Sequence, residues 1–133
     1  MIVDSSAFVA MLRGEDSTPT LEQLLAAYDS RISAATLVEV RAVVGGRFGV
    51  GGLRRLDAMM RRFETQVVAF DQEQADVASA AYRDFGRGSG HPAKLNLGDT
   101  FSYALAYVTD EPLLYVGDDF SRTDIRSALE ELA

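Results

Sequence analysis

Met1-Ile2-Val3-Asp4-Ser5-Ser6-Ala7-Phe8-Val9-Ala10-Met11-Leu12 opens the chain and decides how the rest is read. Ile2 and Val3 are β-branched and apolar, which suits a very short buried strand. Asp4 ends that strand, and Ser5 and Ser6 are good helix starters. Ala7, Phe8, Ala10, Met11 and Leu12 then read as a mostly buried helix. Strand, acid, helix puts a carboxylate at the carboxyl end of a strand, where open α/β sheets bind their ligands.

Working outward, Thr18-Pro19-Thr20 starts a second helix, with Pro19 at a favoured first position and Leu21, Leu24, Leu25 and Tyr28 at helical spacing. Arg31-Ile32-Ser33 has the makings of a short strand. Ala35 to Phe48 reads as a largely buried helix through Leu37, Val38, Val40, Val43 and Val44, ended by Gly45, Gly46 and Gly49. Glu39 lies inside that apolar run. A carboxylate there must be paired, protonated or bound to a cation, and Arg41 is the simplest structural partner. Leu53, Leu56, Met60 and Phe63 form the stripe of a further helix. Its Arg54, Arg55, Arg61 and Arg62 are the densest basic patch, either a solvated face or a contact for phosphates.

Gln66 to Phe70 reads as a strand and Asp71 as the cap of a long amphipathic helix to about Gly86. Gly86 to Lys94 is a glycine-rich loop without the ending of a P-loop, either a substrate-contacting loop or a connector. Asn96 caps a helix with Asp99 in its first turn, where the helix dipole alone would favour an acid. Leu113 to Val116 is a last buried strand, followed by Asp118 and Asp119. Ser121 to Leu132 reads as a closing helix. Strands alternating with helices predict an α/β fold with a parallel sheet covered on both faces, in one domain over residues 1–133.

Bulk composition narrows the chemistry. The chain has no cysteine and one histidine, His91. That excludes disulfides and thiolate or histidine-rich metal sites and points to a reducing compartment, the cytoplasm. No apolar run is long enough to span a membrane, and Asp4 interrupts the N-terminal one, which argues against a signal peptide. A net charge of −7 argues against a generic nucleic-acid coat but not against a nuclease, and it suits a partner with a basic segment. Motifs of serine hydrolases, dinucleotide binders and zinc proteases are all missing.

What remains is acids: Asp4 after a strand, Glu39 in a buried helix, Asp99 in a first helical turn, and Asp118-Asp119 after a strand. Each has a local structural explanation as a cap or turn. Converged, they would repel one another unless a hard cation sat among them. All-oxygen ligation selects Mg²⁺ or Mn²⁺. Such an ion lowers the pKa of bound water and stabilises charge on a phosphoryl group, so the chemistry fits phosphodiester hydrolysis.

Four pieces, Met1 to Ala7, Thr36 to Val40, Leu95 to Ala104 and Leu113 to Ile125, together resemble a PIN domain, and more narrowly the VapC toxins of bacterial type II toxin–antitoxin systems. The resemblance covers essentially the whole chain. It implies a Rossmann-like three-layer α/β/α sandwich with a mainly parallel sheet. It also implies Mg²⁺-dependent endoribonuclease activity, a homodimer, and a VapB-type antitoxin whose C-terminal segment lies along the site. Asp4, Glu39 and Asp99 match the first three family acids, with Asp4 and Asp99 as metal ligands. Asp119 matches the fourth better than Asp118, and Ser6 matches the hydroxyl beside the first acid. The implied reaction is in-line attack of metal-activated water on single-stranded or looped RNA, leaving 5′-phosphate ends. Arg83, Arg87, Lys94 and the arginine stripe are candidate phosphate contacts. Two other readings stand beside this one. One is a catalytically inactive PIN-fold RNA-binding or interaction module. The other is a phosphatase or receiver, against which Ser6 stands where a second acid is needed and the lone Lys94 precedes a helix.

Overall fold

The computed structural model describes residues 1–133. Its elements are β1 (Ile2–Val3), α1 (Ser5–Leu12), α2 (Thr18–Ala27), β2 (Arg31–Ser33), α3 (Ala34–Arg62), β3 (Gln66–Val68), α4 (Gln72–Phe85), α5 (Leu97–Thr109), β4 (Leu113–Leu114) and α6 (Ala128–Leu132). The strands form one sheet in the order β3-β2-β1-β4, with every neighbouring pair parallel.

Successive strand side chains point to opposite faces, and this builds two cores from very short strands. Val3 and Leu114 join Phe8, Leu21, Val40 and Leu56 in one core, beneath α1, α2 and α3. Ile2 and Leu113 join Leu95, Tyr103, Leu105 and Phe120 in the other, beneath α4 and α5. The register agrees, since Ile2 pairs with Leu113 and Val3 with Leu114. The expected three-layer sandwich is therefore the observed one, with β1 inside the sheet and β3 at its edge. No helix is long and apolar enough to cross a membrane.

Three local expectations need correction. Gly45 and Gly46 do not end the helix. The helical course runs from Ala34 to Arg62 with one break, at Gly49, where φ is 64° and ψ is −158°. Near this bend a Cβ on Gly45 would lie 3.5 Å from the Leu53 side chain, and one on Gly52 would collide with Phe48. Gly52 thus lets the two helical segments meet closely across the bend instead of being separated by a loop. Secondly, the helix is not buried all round. Leu37, Val40 and Val44 form the buried stripe at helical spacing, while Val38, about a hundred degrees away, is 69% exposed.

Thirdly, the closing helix spans only Ala128–Leu132. Before it, Ser121 Oγ donates to Asp118 O and Thr123 Oγ1 to Phe120 O, both at 2.8 Å. Such local side-chain bonds offer the backbone an alternative to helix, and the buried Phe120 anchors the turn. The strands at 66–70 and 113–116 are likewise shorter than expected, as β3 and β4.

The bend gives a paired test. Gly46→Ala, at a helical position with open space, should raise stability by about 0.5–1 kcal/mol. Gly49→Ala, at positive φ with extended ψ, should lower it by about 1–3 kcal/mol. Urea unfolding measures both; equal effects would mean that the helix has no positive-φ break at Gly49.

Candidate active site

Asp4 follows β1 directly and is the N-cap of α1. Its Oδ2 accepts from the Ser6 amide at 3.0 Å, and its Oδ1 accepts from Ser102 Oγ at 2.6 Å. The residue is only 2% exposed. Ser102 Oγ also lies 3.1 Å from Thr36 Oγ1 on α3. One buried hydroxyl pair thus ties the strand end to both α3 and α5.

Asp99 is the third residue of α5. Asn96 Oδ1 accepts from the Asp99 amide at 2.9 Å, and Asp99 Oδ2 accepts from the Asn96 amide at 3.0 Å, a closed capping box. Ser102 stands one turn further along the same helix face. The side chain holding Asp4 therefore sits on the face that presents Asp99. Asp99 Oδ1 has no hydrogen-bond partner in the chain.

Glu39 projects from α3 between these elements. Its Oε1 accepts from Ser5 Oγ at 2.9 Å. Its Oε2 packs so tightly on Gly98 that a Cβ there would collide with it. No arginine pairs with Glu39, so the structural partner Arg41 is not realised. Asp118 and Asp119 lie in the exposed turn after β4. Ser6 Oγ accepts from the Val116 amide at 3.1 Å, which fixes where this turn leaves the sheet.

Electrostatics link the acids. Burial pushes Asp99 up to about 7; the Asn96 amide opposes this, and the charges of Asp4, Asp119 and Glu39 add to it. Burial also raises Glu39, opposed by the Ser5 hydroxyl and reinforced by Asp4. The two adjacent aspartates differ: Asp119 acts on Asp99, whereas Asp118 is among the charges raising Tyr115. As the side chains stand, no three acids close around one point as a metal site. The donor chemistry nevertheless fits a hard divalent cation, because Asp4 and Asp99 are buried, mutually repulsive and free of any cationic side chain. A cleft of about 640 Å³ lies at the opposite end of the sheet, around Ser30, Arg31, Gln66 and Glu111, and includes none of these acids.

The basic candidates separate. Arg83 pairs with its neighbour Asp84 at 2.9 Å. In the arginine stripe, Arg62 reaches Glu22 at 3.8 Å and lies over the Phe63 ring, and Arg55 donates to Leu12 O at 3.2 Å. Arg87 and Lys94 are exposed and line a common hollow. Sequence reasoning missed Ser5, Thr36, Ser102 and Gly98. Ser102 had a readable signal, its three-residue spacing from Asp99; the other three depend on contacts between distant segments.

A parallel sheet delivering acids to one end, joined by an acidic first turn of a crossing helix, is the arrangement of a PIN domain, and the PIN domain family model matches residues 1–126. Ribonuclease VapC42 of Mycobacterium tuberculosis is 53% identical over 129 residues, covering 96% of this chain and 98% of its own length. Ribonuclease VapC28 of the same organism is 46% identical over 131 residues, covering 98% of each. Among solved structures, M. tuberculosis VapC20, described as a sarcin–ricin loop cleaving toxin, matches with TM-score 0.71 at 20% identity, over 93% of this chain and 95% of that one. VapBC2 from Rickettsia felis, bound to a DNA fragment from its promoter, matches with TM-score 0.73 at 16% identity, over 95% and 94%. The chain belongs to the VapC ribonucleases of the PIN-domain family.

The raised Asp99 has a measurable consequence. Its folded-state pKa, about 7, lies above the ordinary 3.8, so the folded chain holds a proton that the unfolded chain releases. Stability from this group is full below about pH 4, falls as pH rises towards about 7, and is level beyond. Glu39 adds in the same direction. In chelator, the native protein should lose more stability between about pH 5 and about pH 8 than Asp99→Asn does, read by urea unfolding. An equal loss would remove the buried acid from the account.

Proposed function

We infer that this VapC ribonuclease is the RNA-cutting toxin of a toxin–antitoxin pair and hydrolyses phosphodiester bonds with a divalent cation, Mg²⁺ or Mn²⁺. The observation that carries this reading is the burial of Asp99 among the charges of Asp4, Glu39 and Asp119. Asp4 and Asp99 would hold the ion. When bound, it would acidify water and stabilise charge on a phosphoryl oxygen.

The chain's own residues set up that chemistry. Ser102 and the Ser6 amide orient Asp4; the Asn96 amide holds one oxygen of Asp99 and leaves the other free. Ser5 turns Glu39 towards Gly98. Glu39 and Asp119 complete the negative field, with Asp119 favoured over Asp118 as the fourth acid. Ser6 serves by position, bracing the turn that carries Asp119. The substrate would be single-stranded or looped RNA, whose exposed backbone can reach acids at the sheet end. Arg87 and Lys94 are the favoured phosphate contacts, with Arg83 held back by Asp84.

A VapB-type antitoxin is the proposed partner. Val38 and Leu97, 69% and 59% exposed, flank the Glu39–Gly98 contact and offer an apolar rim for a bound segment. A homodimer and action in the cytoplasm complete the reading, in line with the absence of cysteine.

The test is RNA cleavage with end-mapping. Cleavage should appear with Mg²⁺ or Mn²⁺, stop with chelator and leave 5′-phosphate ends. Asp4→Asn and Asp99→Asn should each lose at least about a hundredfold, Asp119→Asn about tenfold, and Asp118→Asn little. Full activity in Asp99→Asn would sink the ligand assignment. A divalent ion should also raise the melting temperature of the native protein but not of Asp99→Asn, whereas an inactive PIN-fold module would give no such shift.

A further inference from the structure

The segment between α4 and α5 is an ordered loop. Arg87 N donates to Leu95 O and Leu95 N to Phe85 O, both at 2.9 Å, closing the base of the loop. Ser89 Oγ donates to Gly86 O at 2.6 Å and accepts from His91 N at 3.1 Å. The His91 ring stands edge-on to Phe85, with centroids 4.9 Å apart. His91 Nδ1 accepts from the Ala93 amide at 3.0 Å, so the neutral ring carries its proton on Nε2. That leaves Nε2–H as a spare donor.

The loop borders an open hollow of about 470 Å³, lined by Arg87, Gly88, Gly90, His91 and Lys94. No acid lines it. Neither Arg87 nor Lys94 pairs with a carboxylate. In a chain of net charge −7, an arginine, a lysine and the one histidine thus line a single acid-free hollow. The Gly88 and Gly90 amides make no bond to a carbonyl within the chain. Lys94 itself sits at φ 50°, a conformation that non-glycine residues seldom adopt.

We propose that this hollow binds one non-scissile phosphate of the RNA strand, through the Arg87 guanidinium, the Lys94 ammonium and His91 Nε2–H. The inference rests on the nuclease reading. An arginine fork, an ammonium and an imidazole N–H around a small concavity match the donor needs of a phosphate. The mechanical link supports the placement. Leu95 is fully buried, and Asn96 locks to Asp99 through the capping box. A phosphate held at the loop therefore sits at a fixed offset from the acids and sets which phosphodiester reaches them. Phosphate contacts of this kind fix register without reading sequence.

The experiment has two arms. In the first, inorganic phosphate is titrated into the full chain while NMR follows the Gly88 and Gly90 amides and the His91 ring. The signals should move saturably in the native protein and stay still in Arg87→Gln/Lys94→Asn. Both substituted residues are exposed, and asparagine tolerates the backbone at 94; an unchanged melting temperature verifies the fold. In the second arm, a labelled single-stranded RNA oligonucleotide binds Asp99→Asn protein, with and without the double change. The double change should weaken binding at least about tenfold and lower the slope of log affinity against log salt by about 0.7, for one lost phosphate contact. Phosphate signals that never saturate, or RNA affinity and salt slope that do not change, overturn the proposal. Saturable phosphate binding beside an Asp99→Asn protein that binds no RNA refutes RNA as the occupant, and native protein that also cuts none refutes the nuclease reading.

Discussion

Several carboxylates buried together are costly to a folded chain, and this protein answers the cost locally. Asp4 and Asp99 are each tied to the first turn of a helix, α1 and α5, whose amides favour negative charge. The bonds that stabilise the acids are the same ones that start the helices. Local capping does not remove the repulsion, however. Asp99 accepts from one amide and is still driven up to about 7, since burial and three neighbouring charges act against that single bond. The excess negative charge that remains is what a divalent cation can use.

The position of that charge depends on two residues. Ile2 and Val3 are both fully buried, one in each core, and Leu113 and Leu114 repeat the division on the next strand. A slip of one residue would exchange the two faces and carry Asp4 away from Ser102. The short strands are therefore no weakness in the design of the site. They leave Asp4 as the first residue beyond the sheet, directly against α5.

The opening stretch and the Asn96–Asp99 box were legible in the sequence because capping and strand-to-helix transitions are local chemistry. Periodicity correctly marked Leu37, Val40 and Val44, but it could not show that Val38 lacks a partner, since that depends on which neighbours lie around α3. The same limit explains the glycines. A run of Gly45, Gly46 and Gly49 reads as a helix end, yet the close crossing of Val44 and Phe48 with Leu53 and Gly52 is a tertiary fact. Ser5 looked like a helix starter and nothing more, because its partner Glu39 is remote in the chain. Asp118 and Asp119 were indistinguishable by adjacency alone, and their environments separate them: one acts on Tyr115, the other on Asp99.

The choice of partners for the acids carries its own argument. Every ion pair in the chain uses other carboxylates: Glu22, Asp84, Asp110, Glu111 and Glu131. Asp4, Glu39 and Asp99 are held by hydroxyls and amides instead. A lysine or arginine could orient a carboxylate equally well, but it would also cancel its charge and hold its pKa down. Hydroxyls from Ser5 and Ser102 fix direction while leaving the charge unspent. A site built to stabilise its acids would have recruited the surface arginines. This one excludes them, and Arg87 and Lys94 stand in a separate hollow that no acid lines.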